Sequence, residues 1–115
     1  MPATGLTVVA RRLREARERS GLSQRALGIA AGIDEFSASP RINQYERGKH
    51  VPDLLTMQNL AAVLAVPVPY FYADDERLGE MILLLNALPH SHWERVRKYL
   101  ARQGAASSKD SDRSK

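Results

Sequence analysis

The sequence predicts an all-α protein of single-domain size, and three features carry that prediction. Apolar residues recur at spacings of three and four along most of the chain. No stretch alternates apolar and polar residues as a half-buried strand would. Glycine, proline or capping residues stand between the periodic segments. At 115 residues the chain is long enough for one hydrophobic core. With 43% hydrophobic but only 6% aromatic residues, that core must be built chiefly from Leu, Ile, Val and Ala.

Residues 1–6 are expected to be a flexible N-terminus. A first helix is expected over 7–20, with Thr7 as its N-cap, Val9, Leu13 and Ala16 on one face, and Gly21 as its stop. Ser23 is a good N-cap for a second helix over 24–31, because its hydroxyl can accept an orphan amide hydrogen bond. Leu27 and Ala31 face inward, Gly32 ends the helix, and Ile33 follows as a buried residue. A third helix starts near Ser37 or Ser39, with Pro40 in its first turn, where a missing N–H is harmless. It runs to Arg47, is stopped by Gly48, and buries Ile42 and Tyr45. Asp53 caps a fourth helix over 54–65 with Leu54, Met57, Leu60, Ala61 and Leu64 along its stripe. Val66-Pro67-Val68-Pro69 breaks the chain before a short helical turn over 70–72. Asp74 or Asp75 caps the next helix, 76–88, whose acidic start suits the helix dipole. Leu78, Met81, Ile82, Leu85 and Leu88 form one apolar stripe, and Leu83 and Leu84 add apolar surface on the other side. Pro89 ends it. A last helix over 91–103 carries Trp93, Val96, Tyr99 and Leu100, and residues 104–115, with no apolar anchor, are expected to be disordered.

Charge is unevenly spread. Residues 1–50 hold nine Lys/Arg against five Asp/Glu, residues 51–88 one against five, and residues 89–115 seven against three. A basic N-terminal half suits a polyanionic partner. The absence of cysteine excludes a disulfide framework and thiolate metal sites and fits a cytoplasmic location. No apolar run approaches the roughly 20 residues that span a bilayer. His90 and His92 are two residues apart, share no helical face and have no evident third ligand, so no metal is expected. Asp74, Asp75 and Glu76 read as capping residues. With no nucleophile constellation and no phosphate-cradling glycine loop, the sequence predicts no enzyme and no cofactor.

The helix–turn–helix of residues 23–47 carries the functional reading. Helices that cross near their ends need a small side chain at the contact, and Gly28 supplies one at a cost of about 1 kcal/mol of helix propensity. The chain reads Arg12-Leu13-Arg14-Glu15-Ala16-Arg17, Gly21-Leu22-Ser23-Gln24-Arg25-Ala26-Leu27, Ala31-Gly32-Ile33 and Ile42-Asn43-Gln44-Tyr45-Glu46-Arg47-Gly48-Lys49. Pro52, Leu60-Ala61 and Leu64-Ala65-Val66-Pro67 follow. In order and spacing this resembles the Cro/Xre-like, phage-repressor-type regulators over residues 7–73, more than half the chain. The resemblance implies a five-helix DNA-binding domain with its third helix in the major groove, here followed by two C-terminal helices. It implies that Ser23 and Gln24 at the start of helix two, and Arg47, Lys49 and His50 after helix three, hold backbone phosphates. A helix N-terminus favours an anion, in agreement. It implies that Arg17 and Glu46 form a partly buried salt bridge between helices one and three. Asn43 and Gln44 match exposed positions of the recognition helix, and amide side chains can pair with adenine. Ser39 lies at the end that approaches bases first, and Arg41 reaches either guanine or a phosphate.

Asp34-Glu35-Phe36-Ser37 look inserted relative to that family. They either lengthen the third helix, form a separate turn, or add base contacts through Ser37; two acidic residues near DNA must point away or pair with a cation. Residues 74–103 form a helical hairpin that either caps a monomer's core or makes a dimer interface. A homodimer would present two recognition helices about 34 Å apart to a palindromic duplex DNA operator. The implied function is a sequence-specific DNA-binding regulator, a repressor in the first instance. The alternative is an antitoxin or adaptor that grips a protein partner with the same fold.

Overall fold

The computed structural model describes the backbone of residues 5–113 and side chains over 8–107; residues 1–4 of the expected flexible N-terminus and residues 114–115 lie outside the described residues. The order is α1 (Gly5–Ser20), α2 (Gln24–Ala30), α3 (Ala38–Glu46), α4 (Leu54–Leu64), a 3₁₀ turn (Val68–Tyr72), α5 (Glu76–Ala87), a second 3₁₀ turn (His90–His92) and α6 (Trp93–Arg113). Every regular element among the described residues is helical. Two compact units divide the chain, residues 1–83 and 84–115. The division falls inside α5, ten residues later than a boundary at 73/74 would put it.

The core of the first unit is the one the periodicity marks, except that Leu54, expected on the stripe of α4, is exposed. Val9, Leu13, Ala16, Leu27, Ile42, Tyr45, Met57, Leu60 and Leu64 are buried together with Tyr70 and Phe71 of the 3₁₀ turn. α1 begins two residues ahead of Thr7, which is therefore inside the helix and not its cap. Val8, Val9 and Ala10 are all buried, so packing holds this first turn. Capping is explicit elsewhere. Ser23 Oγ accepts the Ala26 amide at 3.0 Å, Asp53 Oδ1 accepts Thr56 N at 2.8 Å, and Asp75 Oδ1 accepts Arg77 N at 2.7 Å. The cap of α5 is thus Asp75. The Thr56 bond holds the Asp53 carboxyl below its ordinary pKa.

Arg12 is the buried charge that periodicity alone passes over. It is 2% exposed. Its Nε donates to Ala73 O at 2.8 Å, one terminal nitrogen donates to Asp75 O at 3.2 Å, and the other meets Glu15 and Glu76 carboxylates at 3.1 and 3.2 Å. The guanidinium lies 5.3 Å from the Tyr70 ring centroid. Burial opposes its charge, but the bonds and charges of Glu76 and Glu15 outweigh this and raise its pKa above the ordinary value. Arg11 adds a second ion pair to Glu76. Together these tie α1 to the start of α5.

α5 turns a different face inward from the expected stripe. Ile82 and Leu83 pack against the core, and Leu78, Met81 and Leu85 are exposed. In the second unit, Trp93 Nε1 donates to Leu88 O at 3.3 Å and the His90 and Trp93 rings lie 4.5 Å apart. α6 corrects the expectation of a disordered tail from residue 104, since the helix continues to Arg113. Alanines at 101, 105 and 106 favour helix, and Gly104 lacks the left-handed backbone that would end it.

Candidate nucleic-acid interface

α2 and α3 meet at Gly28. A Cβ placed there would lie 2.7 Å from Ala38 Cβ and 3.0 Å from Ala38 Cα. The helices approach so closely that only hydrogen fits, which is the contact the mid-helix glycine predicts. Ala38 is the first residue of α3, so this contact fixes that helix's N-terminal end.

The C-terminal end is held by charge. Arg17 Nε and a terminal nitrogen donate to the two Glu46 oxygens at 2.5 and 3.0 Å, a forked pair with side chains 14% and 3% exposed. The Glu46 hydrogen bond, against the opposing effect of burial, raises the Arg17 pKa further. Arg17 also donates to Leu22 O at 3.0 Å. Gln24 Nε2 donates to Asn43 Oδ1 at 3.3 Å and to Glu46 Oε1 at 3.2 Å. Both of its side-chain hydrogens are engaged, so Gln24 is a strut between α2 and α3. Asn43 is half-buried on that flank, with the oxygen that a paired contact to adenine needs already in use.

The opposite face of α3 is open. Pro40, Arg41, Gln44 and Arg47 are exposed at helical spacing, and Ser39 is half-exposed beside them. Beyond Arg47 the chain turns through Gly48 at φ +73°, a left-handed conformation that a side chain would strain. Gly48 N donates to Tyr45 O at 3.2 Å and Lys49 N to Gln44 O at 2.9 Å. This paired closure of the helix end puts Lys49 and His50, both exposed, at its tip. Ser23 is exposed, and its hydroxyl oxygen accepts the Ala26 amide to cap α2 while its O–H remains able to donate.

The four extra residues form a separate turn. Asp34 Oδ2 accepts Phe36 N at 3.0 Å, Ser37 N donates to Asp34 O at 2.9 Å, and α3 begins directly after. Glu35 lies 3.5 Å from Arg25 of α2. Both acids are thereby engaged. The sequence reading missed Arg12 and the Arg25–Glu35 pair. Arg12 was visible in principle, being three residues after Val9 and four before Ala16, on the apolar face of α1.

A family model described as a helix-turn-helix domain matches residues 8–69. An uncharacterized HTH-type transcriptional regulator of Sinorhizobium medicae is 35% identical over 66 residues, covering 57% of this chain and 45% of the relative. An uncharacterized transcriptional regulator in the ATPase CF(0) region of Rhodospirillum rubrum is 33% identical over 69 residues, 60% of each chain. The chain thus spans about half the length of these curated relatives. The crystal structure of the transcriptional regulator BswR superposes with a TM-score of 0.78 at 42% identity, over 84% of this chain and 96% of that one. No helix among the described residues is long and apolar enough to cross a membrane.

Proposed function

Because this chain belongs to the helix-turn-helix domain family of transcriptional regulators, a family of regulators and not of enzymes, we propose that it binds double-stranded DNA sequence-specifically and represses transcription. In this reading α3 lies in the major groove. The carrying observation is the open face of α3: Arg41, Gln44 and Arg47 point outward while Ala38, Ile42, Tyr45 and Glu46 anchor the helix from behind. Gln44 and Arg41 read base edges with Ser39 beside them, and Asn43 contributes through the amide hydrogens it does not lend to Gln24. Arg47, Lys49 and His50 meet phosphates, with Ser23 and the amide end of α2 on the flanking strand. Gln24 acts by holding α3 in place. A chromosomal target puts the protein in the cytoplasm.

The second unit supports a homodimer on a palindromic operator. Among its described residues none is buried, and Leu84, Leu85, Trp93, Tyr99 and Leu100 expose large apolar surface. A unit made of the last turn of α5, a 3₁₀ turn and α6, with no buried residue among those described, gains stability by covering such surface. The same surface would serve the antitoxin or adaptor alternative, so stoichiometry separates them.

The test is selection of duplexes from a random pool, followed by titration against salt. A recovered palindrome, bound with a log–log salt slope of several units, supports the reading. Failure to enrich any sequence, or salt-independent binding, refutes it. Sedimentation showing only monomer at micromolar concentration, with and without the selected duplex, refutes the dimer.

A further inference from the structure

We propose that Phe36 is a base-contacting residue that packs on the 5-methyl group of a thymine in the major groove. The inference rests on the DNA-binding reading above. Phe36 is 85% exposed, more than any other large apolar side chain among the described residues. It sits on the 34–37 turn, two residues before the first residue of α3. The N-terminal end of a recognition helix is the part that reaches base edges, so this ring is carried at the leading edge of the interface.

The turn is built to present the ring. Asp34 closes it through its side chain to Phe36 N and through its carbonyl to Ser37 N, and Glu35 pairs with Arg25. Glu35 is thus paired with a cation, the Asp34 carboxylate is hydrogen-bonded back onto the turn, and the ring is the turn's exposed apolar group. In the major groove the thymine methyl is the apolar feature of the base-pair edge, and an apolar side chain is what distinguishes it. A phenyl ring left in water gains by covering a methyl group; a hydroxyl or amide there would not. The contact adds specificity at a base beyond those reached by Arg41 and Gln44.

The experiment uses the full chain and a duplex selected by the wild type from a random pool. Phe36→Ala is expected to weaken that duplex about tenfold and to leave a random-sequence duplex unchanged, with Phe36→Leu losing less. Each thymine is then replaced in turn by deoxyuridine, which removes only the 5-methyl group. At one position wild-type affinity falls about fourfold, and Phe36→Ala is insensitive to the same replacement. Equal losses on both duplexes, or an undiminished deoxyuridine effect in Phe36→Ala, overturns the proposal. A large fall in the melting temperature of Phe36→Ala overturns it too, because the ring would then be packing. If the wild type selects no sequence, the DNA reading itself fails. Selective binding that ignores Phe36 refutes the thymine contact alone.

Discussion

Gly28→Ala tests the seat of α3, the proposed recognition helix, with one methyl group. On an isolated helix the change would help, because alanine is about 1 kcal/mol better than glycine in a helix interior. In place it meets Ala38 Cβ at 2.7 Å, Ala38 Cα at 3.0 Å and Ala38 O at 3.1 Å. Carbon atoms rest at about 3.5–4.0 Å, so α2 and α3 must part by about 1 Å. The neighbour cannot swing away, since two of its three atoms are backbone and Ala38 is fully buried. Overpacking of this kind costs about 1–3 kcal/mol, and a backbone clash belongs at the upper end. Less the propensity gain, the net loss is about 2 kcal/mol. For a domain of this size that lowers the melting temperature by about 8–16 °C, read by circular dichroism. Ala38→Gly in the same chain removes the shortest contact and should recover part of the loss. A Gly28→Ala protein that melts higher than the wild type would refute the tight α2–α3 contact and, with it, the fixed placement of the reading face.

Three further outcomes follow from the same geometry. Glu46→Ala strands the Arg17 guanidinium and removes a partner of Gln24, so urea denaturation should show a loss of about 3 kcal/mol; replacing Arg17 and Glu46 together by Met and Leu should cost much less than the sum of the single changes. Hydrogen bonds first from Arg11 and then from Arg12 hold the Glu76 carboxyl below its ordinary pKa. Its folded value is depressed, so its contribution is present above the ordinary carboxylate range and lost as pH falls through the lower folded value. The melting-temperature gap between wild type and Glu76→Gln should therefore be open at neutral pH and close on acidification; a gap independent of pH would show that the pairing contributes nothing. Gln44→Ala should cost about 1–3 kcal/mol on the selected duplex and relax one base position, whereas Lys49→Ala should weaken all duplexes alike and flatten the salt slope by about one; competition titration that finds the two variants indistinguishable would remove Gln44 from the readers.

The legible parts of this fold are those encoded by local chemistry. Ser23 and Asp53 mark helix starts because their side chains accept the amides that a helix leaves unpaired. Gly48 marks an end because the backbone there is left-handed. The Gly28 contact could be foreseen because a mid-helix glycine carries a penalty that only close packing offsets. The resemblance placed Arg17 opposite Glu46, and the forked pair is there. What escaped depends on distance in space. Arg12 looked like one more arginine of a charged helix because its partners, Ala73, Asp75 and Glu76, lie more than sixty residues away. α5 offers two apolar sides, and periodicity cannot choose between them; Ile82 and Leu83 pack on the core, while Leu78 and Met81 of the main stripe are exposed. The end of α6 carries no stop signal, and a segment poor in apolar residues can still be helical. Gln24 has the right type for DNA contact, yet its amide hydrogens go to Asn43 and Glu46, and Asn43 lends its oxygen to Gln24.

That last pairing is one of several contacts that hold α3 in place. α3 has nine residues, too few to be stable alone, and its outward face contributes nothing to the core. Its position is therefore set by three contacts of different physical kinds. Steric contact at Gly28–Ala38 fixes the first residue, burial of Ile42 and Tyr45 fixes the rotation, and the Arg17–Glu46–Gln24–Asn43 cluster fixes the far end. Each kind responds to a different perturbation. Added volume should disturb the first and loss of a charge the third, and neither substitution lies on the exposed stripe of α3. If the reading of the open face is right, Gly28→Ala and Glu46→Ala should both reduce discrimination between selected and random duplexes, although neither removes the proposed phosphate-binding side chains Arg47 and Lys49. Preserved discrimination in a destabilised but folded variant would mean that the bases are read by something other than a rigidly held α3.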